Sequence, residues 1–205
     1  MFDFIHKNMT YDRRVRVLAK HIAAQIEPGA RILDIGCGDG QISELVASQV
    51  QDAAMSGIDV MERSIANIDV SRYDGLNIPF ADNSVDYCVF VDVLHHADQP
   101  LRVMQEASRV ARKYVVIKDH LADGFLGWQT LRFMDWVGNE RHGVALPYNY
   151  FKHREWQHHF EQLGLKVESW NTRLDIYPVW CSWAFDRKLH FVAKLAVPQA
   201  QCEVS

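Results

Sequence analysis

The stretch Arg31-Ile-Leu-Asp-Ile-Gly-Cys-Gly-Asp-Gly40 narrows the folds open to this chain more than any other. Ile32, Leu33 and Ile35 form the short apolar run of a strand covered on both faces, and it leads straight into a turn dense in glycine. Gly36, Gly38 and Gly40 allow backbone conformations closed to other residues and remove side chains where the main chain must approach something bulky. A helix expected from Gln41 to Gln49 then points its free N–H groups at the same place. Strand, glycine turn and helix in that order open a parallel α/β sheet with a ligand at its carboxyl edge.

Strand and helix patterns alternate from there on, as in a parallel sheet with helices on both faces. Strands are expected at 31–35, 54–59, 68–71, 85–91 and 114–118, with helices at 41–49, 62–67 and 100–111 between them. A helix near 152–163 and final strands at 165–170 and 188–195 follow. Upstream, Val15, Leu18, Ile22 and Ile26 recur at three- and four-residue spacing within residues 10–27, until Pro28-Gly29 ends the pattern. Arg13, Arg14, Arg16 and Lys20 lie between them and read as a solvated basic face, with peripheral contact to a membrane surface as the lesser reading.

At 205 residues the chain suits one domain with a sizeable core. No apolar run approaches the roughly 20 residues that span a bilayer, and the first residues lack the basic and apolar segments of a leader, so the expected location is cytoplasmic. Cysteines at 37, 88, 181 and 202 have no C-x-x-C spacing, which favours reduced thiols over disulfides or zinc. A net charge of −4 offers no global attraction to nucleic acid and leaves small molecules as the favoured partners. Nothing in the sequence sets the oligomeric state.

The acid at Asp34, just ahead of the first glycine, separates two ligand classes. Dinucleotide-binding loops require G-x-G-x-x-G, and here the third glycine would fall on Gln41. The stretch instead resembles the D-x-G-x-G-x-G loop of class I S-adenosylmethionine-dependent methyltransferases, matched at Asp34, Gly36, Gly38 and Gly40. The resemblance is close over about residues 30–120, within the subset that includes ubiquinone-type and other small-molecule (type 11-like) methyltransferases. It implies a Rossmann-like, doubly wound α/β fold. Its seven-stranded sheet is mainly parallel, with helices on both faces and an antiparallel last strand. The whole chain, 1–205, would be one methyltransferase domain: an N-terminal helical segment at 1–29, a cofactor-binding half at 30–120 and acceptor-side helices and final strands at 121–205.

The same resemblance implies S-adenosylmethionine as cofactor and S-adenosylhomocysteine as product. Cys37 would be a small filler in the glycine loop. Asp59, at the end of the second strand, would accept hydrogen bonds from both ribose hydroxyls, with Val60 beside it. Asp74 and Gly75 would read the adenine edge, and Val91 and Asp92, after the fourth strand, would meet the methionine part. The chain departs from the family where Arg109-Val-Ala-Arg-Lys113 replaces the frequent Pro-Gly-Gly before the fifth strand. Arg109, Arg112 and Lys113 suit a helix C-terminus electrostatically.

Methyl transfer from a sulfonium is an in-line displacement, so alignment and exclusion of water come first and a base second. Asp119 and His120, at the end of the fifth strand, are the leading base candidates, and His96 is another. Phe125, Trp128, Phe133, Trp136, Asn139, His142 and Leu146-Pro-Tyr-Asn-Tyr150 mix aromatic and polar groups that suit a flat or apolar acceptor. Adjacent His95 and His96 are expected to diverge, so no metal is expected. The alternative to an enzyme acting on a small molecule is a catalytically silent S-adenosylmethionine-binding partner of another enzyme.

Overall fold

The computed structural model describes residues 2–61, 66–124, 127–132, 149–177 and 188–198, with side chains from Asp12 onward. Most of the helix expected at 62–67 falls outside them, as do Phe125, the acceptor candidates between 133 and 148, Cys181 and Cys202.

Strands β1 (Arg31–Ile35), β2 (Ala54–Asp59), β3 (Asp69–Arg72), β4 (Val85–Val91), β5 (Ala111–His120), β6 (Lys166–Asn171) and β7 (His190–Ala196) form one sheet in the order β3-β2-β1-β4-β5-β7-β6. The first five pair in parallel, while β7 lies antiparallel between β5 and β6. The sheet therefore carries the expected Rossmann-like topology. Its strand order reverses between β1 and β4, which opens a crevice at their carboxyl ends.

Helices α1 (Phe2–Ala23), α2 (Gln41–Gln49), α3 (Pro100–Val110), α4 (127–132) and α5 (His153–Gln162) accompany the strands. Side chains that alternate along the central strands feed two cores. Leu33, Cys88, Phe90 and Ile117 pack with Val103 and Met104 of α3 and with Trp156 and Phe160 of α5. Ile32, Tyr87, Val89 and Val116 pack with Leu18 and Ile22 of α1 and with Val46 of α2. Burial on both faces is what an apolar run in mid-sheet requires, and β4 is buried at all but its last residue.

Three departures from the sequence expectation have local causes. Helix α1 begins at Phe2 and ends at Ala23, where bonds from Gln25 N–H to Ile22 O and from Ile26 N–H to Ala23 O tighten the exit and still bury Ile26. Strand β5 runs from Ala111 to His120 because α3 passes into it without a linker and β7 pairs with it through His120. The basic residues around that junction do more than face a helix dipole. Arg109 pairs with Glu106 and Asp82 and donates to the carbonyls of Ile78 and Phe80, while Arg112 pairs with Asp86 and Lys113 with Glu27.

The basic face of α1 is likewise not simply solvated. Arg14 donates to the carboxylate of Asp92, and Arg13 donates to the carbonyl of Asp175 at 2.9 Å. Among the described residues no helix is long and apolar enough to cross a membrane.

Candidate active site

The glycine loop hangs on the end of β2. Gly36 N–H and Cys37 N–H both donate to Ile58 O, Gly38 N–H donates to Asp59 Oδ2 at 2.8 Å, and Gly40 N–H closes the turn on Cys37 O. Gly36, Gly38 and Gly40 all have left-handed φ angles, of 76°, 59° and 74°. Their surroundings differ, however. A Cβ on Gly36 would lie 2.7 Å from Val93 methyls, and one on Gly40 would lie 2.6 Å from Ile68 Cγ1, whereas a Cβ on Gly38 would meet nothing within 4 Å. Two of the three glycines thus make room for the protein's own side chains, and Gly38 alone presents bare backbone to open space. Cys37 packs against Gly57, and burial pushes its thiol up to about 12, consistent with a filler and not a nucleophile.

Asp59 is buried, and its carboxylate joins two loops: Oδ2 accepts from Gly38 N–H and Oδ1 from Met61 N–H, each at 2.8 Å. Each oxygen keeps a lone pair for a further donor. Val60, which follows, is exposed and adjoins Gly75, where a Cβ would lie 3.1 Å from Val60 Cγ1. Asp74 is exposed and holds its own turn. Its Oδ1 accepts from Leu76 and Asn77 N–H and its Oδ2 from the Asn77 side chain, bonds that lower its pKa.

Asp34 is buried under the loop. One carboxylate oxygen accepts from the Ser43 hydroxyl of α2, and the other, Oδ1, has no hydrogen-bond partner among the described residues. Burial, with a smaller contribution from the charge of Asp59, raises its pKa from 3.8 to about 6. A raised native pKa means that the folded chain holds this proton over a window where the unfolded chain has released it. Stability therefore falls as pH rises from 3.8 to about 6, by about 3 kcal/mol, and the loss persists above that window. Asp34→Asn is expected to stabilise the cofactor-free protein by about 1–3 kcal/mol at pH 7 and to give no gain at pH 4. Denaturant unfolding at the two pH values checks this, and a variant equal to or weaker than wild type at pH 7 would show that Asp34 is not held at such a cost.

Beyond β4 lies a compact charged cluster. Asp92, with a left-handed φ of 58°, bonds Lys118 Nζ through Oδ1 and Arg14 through Oδ2. Burial opposes its ionisation, but attraction to Lys118 and Arg14 overrides this and holds the carboxyl well below the usual range. Lys118 is fully buried in β5, with its pKa lowered by burial and partly restored by Asp92.

Asp119 is also fully buried. Its Oδ2 accepts from Leu94 N–H, and its Oδ1 from His120 N–H, with His95 Nδ1 at 2.7 Å. His120 Nδ1 sits 3.2 Å from Asp119 Oδ1 and 3.3 Å from His95 Nδ1. Burial and the neighbouring His95 lower the His120 pKa to about 4, so it is neutral near pH 7. Trp156 of α5 donates to His120 O at 3.0 Å and fixes this end of β5.

The expected site residues thus fall into two groups. Asp34, Gly36, Cys37, Gly38, Gly40, Asp59 and Val60 gather at the ends of β1 and β2, with Asp74 and Gly75 on the next turn. Val91, Asp92, His96, Asp119 and His120 gather beyond β4 and β5. Sequence reasoning gave no site role to three members of the second group. His95 is brought to Asp119 by a 3₁₀ turn at Leu94–His96, and its ring lies 3.9 Å from that of His96, so these neighbours do not diverge as expected. Lys118 and Arg14 are the others. A lysine inside an apolar strand is itself a signal, since buried lysines require a carboxylate. Of the expected acceptor residues, Trp128, Asn149 and Tyr150 are described: Trp128 is exposed, Tyr150 is buried, and the Asn149 side chain donates to Ala97 O and its N–H to His95 O, which pins it to the β4 loop.

The chain matches a methyltransferase-domain family model over residues 4–169. It is 31% identical over 100 residues to 27-O-demethylrifamycin SV methyltransferase of Amycolatopsis mediterranei, covering 42% of this chain and 36% of that protein. It is 27% identical over 127 residues to demethylmenaquinone methyltransferase of Staphylococcus epidermidis, covering 54% of this chain and 51% of that protein. The chain thus spans between a third and about half of the length of these relatives. A methyltransferase of Haloferax volcanii, solved in complex with the Trm112 activator, superposes with a TM-score of 0.70 over 96% of this chain and 94% of its own, at 16% identity.

Proposed function

The chain belongs to the class I S-adenosylmethionine-dependent methyltransferases, and we propose that it methylates a small-molecule acceptor held beyond the carboxyl ends of β4 and β5. The relatives named for a rifamycin and for demethylmenaquinone support an acceptor of that class. The observation that carries the cofactor half is the pairing of Gly38, the one loop glycine that faces open space, with Asp59, whose carboxylate holds the Gly38 N–H and has lone pairs to spare.

The cofactor supplies a methyl group already activated on a sulfonium. The protein's work is then to bind, align and, where the acceptor requires it, remove a proton. The Gly38 backbone takes the close approach. Asp59 receives the ribose hydroxyls, and the open oxygen of Asp34 fits a cationic donor such as an ammonium. Asp74, whose Oδ2 accepts one bond from the Asn77 side chain and keeps a lone pair, and Gly75 take the adenine edge. His120 Nδ1 is occupied by Asp119 and His95, so Nε2 is the atom left to take a proton from the acceptor. Asp119 is held by backbone donors and His95 and serves as an anchor for the imidazoles.

Calorimetric titration of the full chain with S-adenosylhomocysteine, followed by labelled methyl transfer to quinol and polyphenol acceptors, tests this reading. Binding with turnover is the expected result. Binding without turnover on any hydroxylated acceptor favours the silent-partner alternative, and no binding overturns the assignment of Gly38 and Asp59.

A further inference from the structure

We propose that His95, Asp119 and His120 form a binding site for a divalent transition-metal cation at the carboxyl end of β5. His95 Nδ1, Asp119 Oδ1 and His120 Nδ1 form a triangle with edges of 2.7, 3.2 and 3.3 Å. Metal–ligand bonds of about 2.0–2.2 Å in octahedral or tetrahedral geometry set neighbouring donors about 3.0–3.4 Å apart, so two edges already match and the third is short by a few tenths of an ångström. A point about 2.1 Å from all three atoms lies roughly 1 Å out of their plane.

The same triangle is poorly served by hydrogen bonds alone. Asp119 Oδ1 already accepts the His120 backbone N–H at 2.8 Å. Each neutral imidazole carries a single ring hydrogen. If both Nδ1 atoms bear it, three donors crowd one oxygen. If only one does, the other nitrogen must share that single N–H, 3.3 Å away, with the carboxylate oxygen beside it. A dication answers both lone pairs and the carboxylate at once.

The surroundings supply the support that metal ligands require. Leu94 N–H fixes Asp119 Oδ2 at 3.1 Å, the Tyr150 ring stacks on His95 at 5.6 Å, and Trp156 holds the His120 carbonyl. Lys118 is already paired with Asp92, whose Oδ1 lies 3.7 Å from His120 Nδ1. Two imidazoles and one carboxylate select zinc, iron(II) or cobalt(II) over magnesium and calcium, which prefer all-oxygen shells. Three protein donors leave coordination positions for an oxygen of water or of the acceptor. With both Nδ1 atoms on the cation, His120 carries its hydrogen on Nε2. Metal-loaded and metal-free protein then differ in which atom takes the acceptor's proton. Only that consequence rests on the methyl-transfer reading.

The test strips the full chain with a chelator and titrates it with cobalt(II), zinc and magnesium, following heat and cobalt absorption. X-ray absorption is then recorded on the zinc form. One equivalent of cobalt or zinc, no magnesium and a zinc shell containing imidazole are expected. Because outer-ligand changes alone cost about 10–100-fold, His95→Asn and His120→Asn should each weaken binding by at least about 100-fold. His158→Gln, on the exposed face of α5, should leave it unchanged. S-adenosylhomocysteine titrations of the same samples report the cofactor site separately, so failure there does not count against the metal. Absence of cobalt and zinc binding, undiminished binding in both histidine variants, or a zinc shell without imidazole overturns the site. If the variants do not fold, the wild-type absorption shell decides.

Discussion

Lys118→Met is expected to lower stability by about 3–5 kcal/mol, the usual cost of removing one partner from a buried ion pair. Lys118 is fully inaccessible and the Asp92 side chain is 12% exposed, so the change strands a carboxylate that its partial burial already disfavours. Arg14 still contacts Asp92, but it is about one third exposed and its contribution is screened by solvent, which leaves the larger share of the compensation with Lys118. The double variant Lys118→Met/Asp92→Asn should recover much of the loss, because removing both charges together is often close to neutral. Urea unfolding of the wild type, the two single variants and the pair measures the coupling. A single-variant loss below about 1 kcal/mol would mean that water reaches Lys118.

The second large effect is expected at Asp59. Asp59→Ala should weaken S-adenosylhomocysteine binding by about 10- to 150-fold, the equivalent of about 1.5–3 kcal/mol for hydrogen bonds to a charged group. The same change releases the Gly38 and Met61 N–H groups, so amide exchange at these two residues should accelerate more than elsewhere in the sheet. Hydrogen-exchange mass spectrometry beside calorimetry separates the two effects. Wild-type affinity in a folded variant would remove Asp59 from the cofactor site.

Strands β1, β2 and β4 were legible to the residue because β1 and β4 are mostly apolar and buried and all three stop at a glycine or an acid, Gly36, Asp59 and Asp92. The length of β5 was not legible, since its start depends on α3 passing straight into it beside β4 and its end on pairing with β7, some seventy residues further on. The glycine loop and the acid after β2 were readable because a local motif carries them. The charged cluster was not, since Arg14 meets Asp92 across 78 positions and His95 meets Asp119 across 24. No periodicity encodes such meetings. Lys118 could have been found, because the run Tyr114-Val-Val-Ile117 ahead of it marks a central strand and leaves a lysine nowhere to reach solvent.

The division of labour among the loop glycines bears on how such a chain can change over generations. Gly36 and Gly40 are tied to Val93 and Ile68, so each can be replaced only alongside its neighbour, whether or not a ligand ever binds. Gly38 has no such tie among the described residues. A descendant that abandoned methyl transfer would lose Gly38 against the strain of its left-handed φ alone, with no clash to resolve, so Gly38 would go first and the remaining spacing would record ancestry long after the activity had gone.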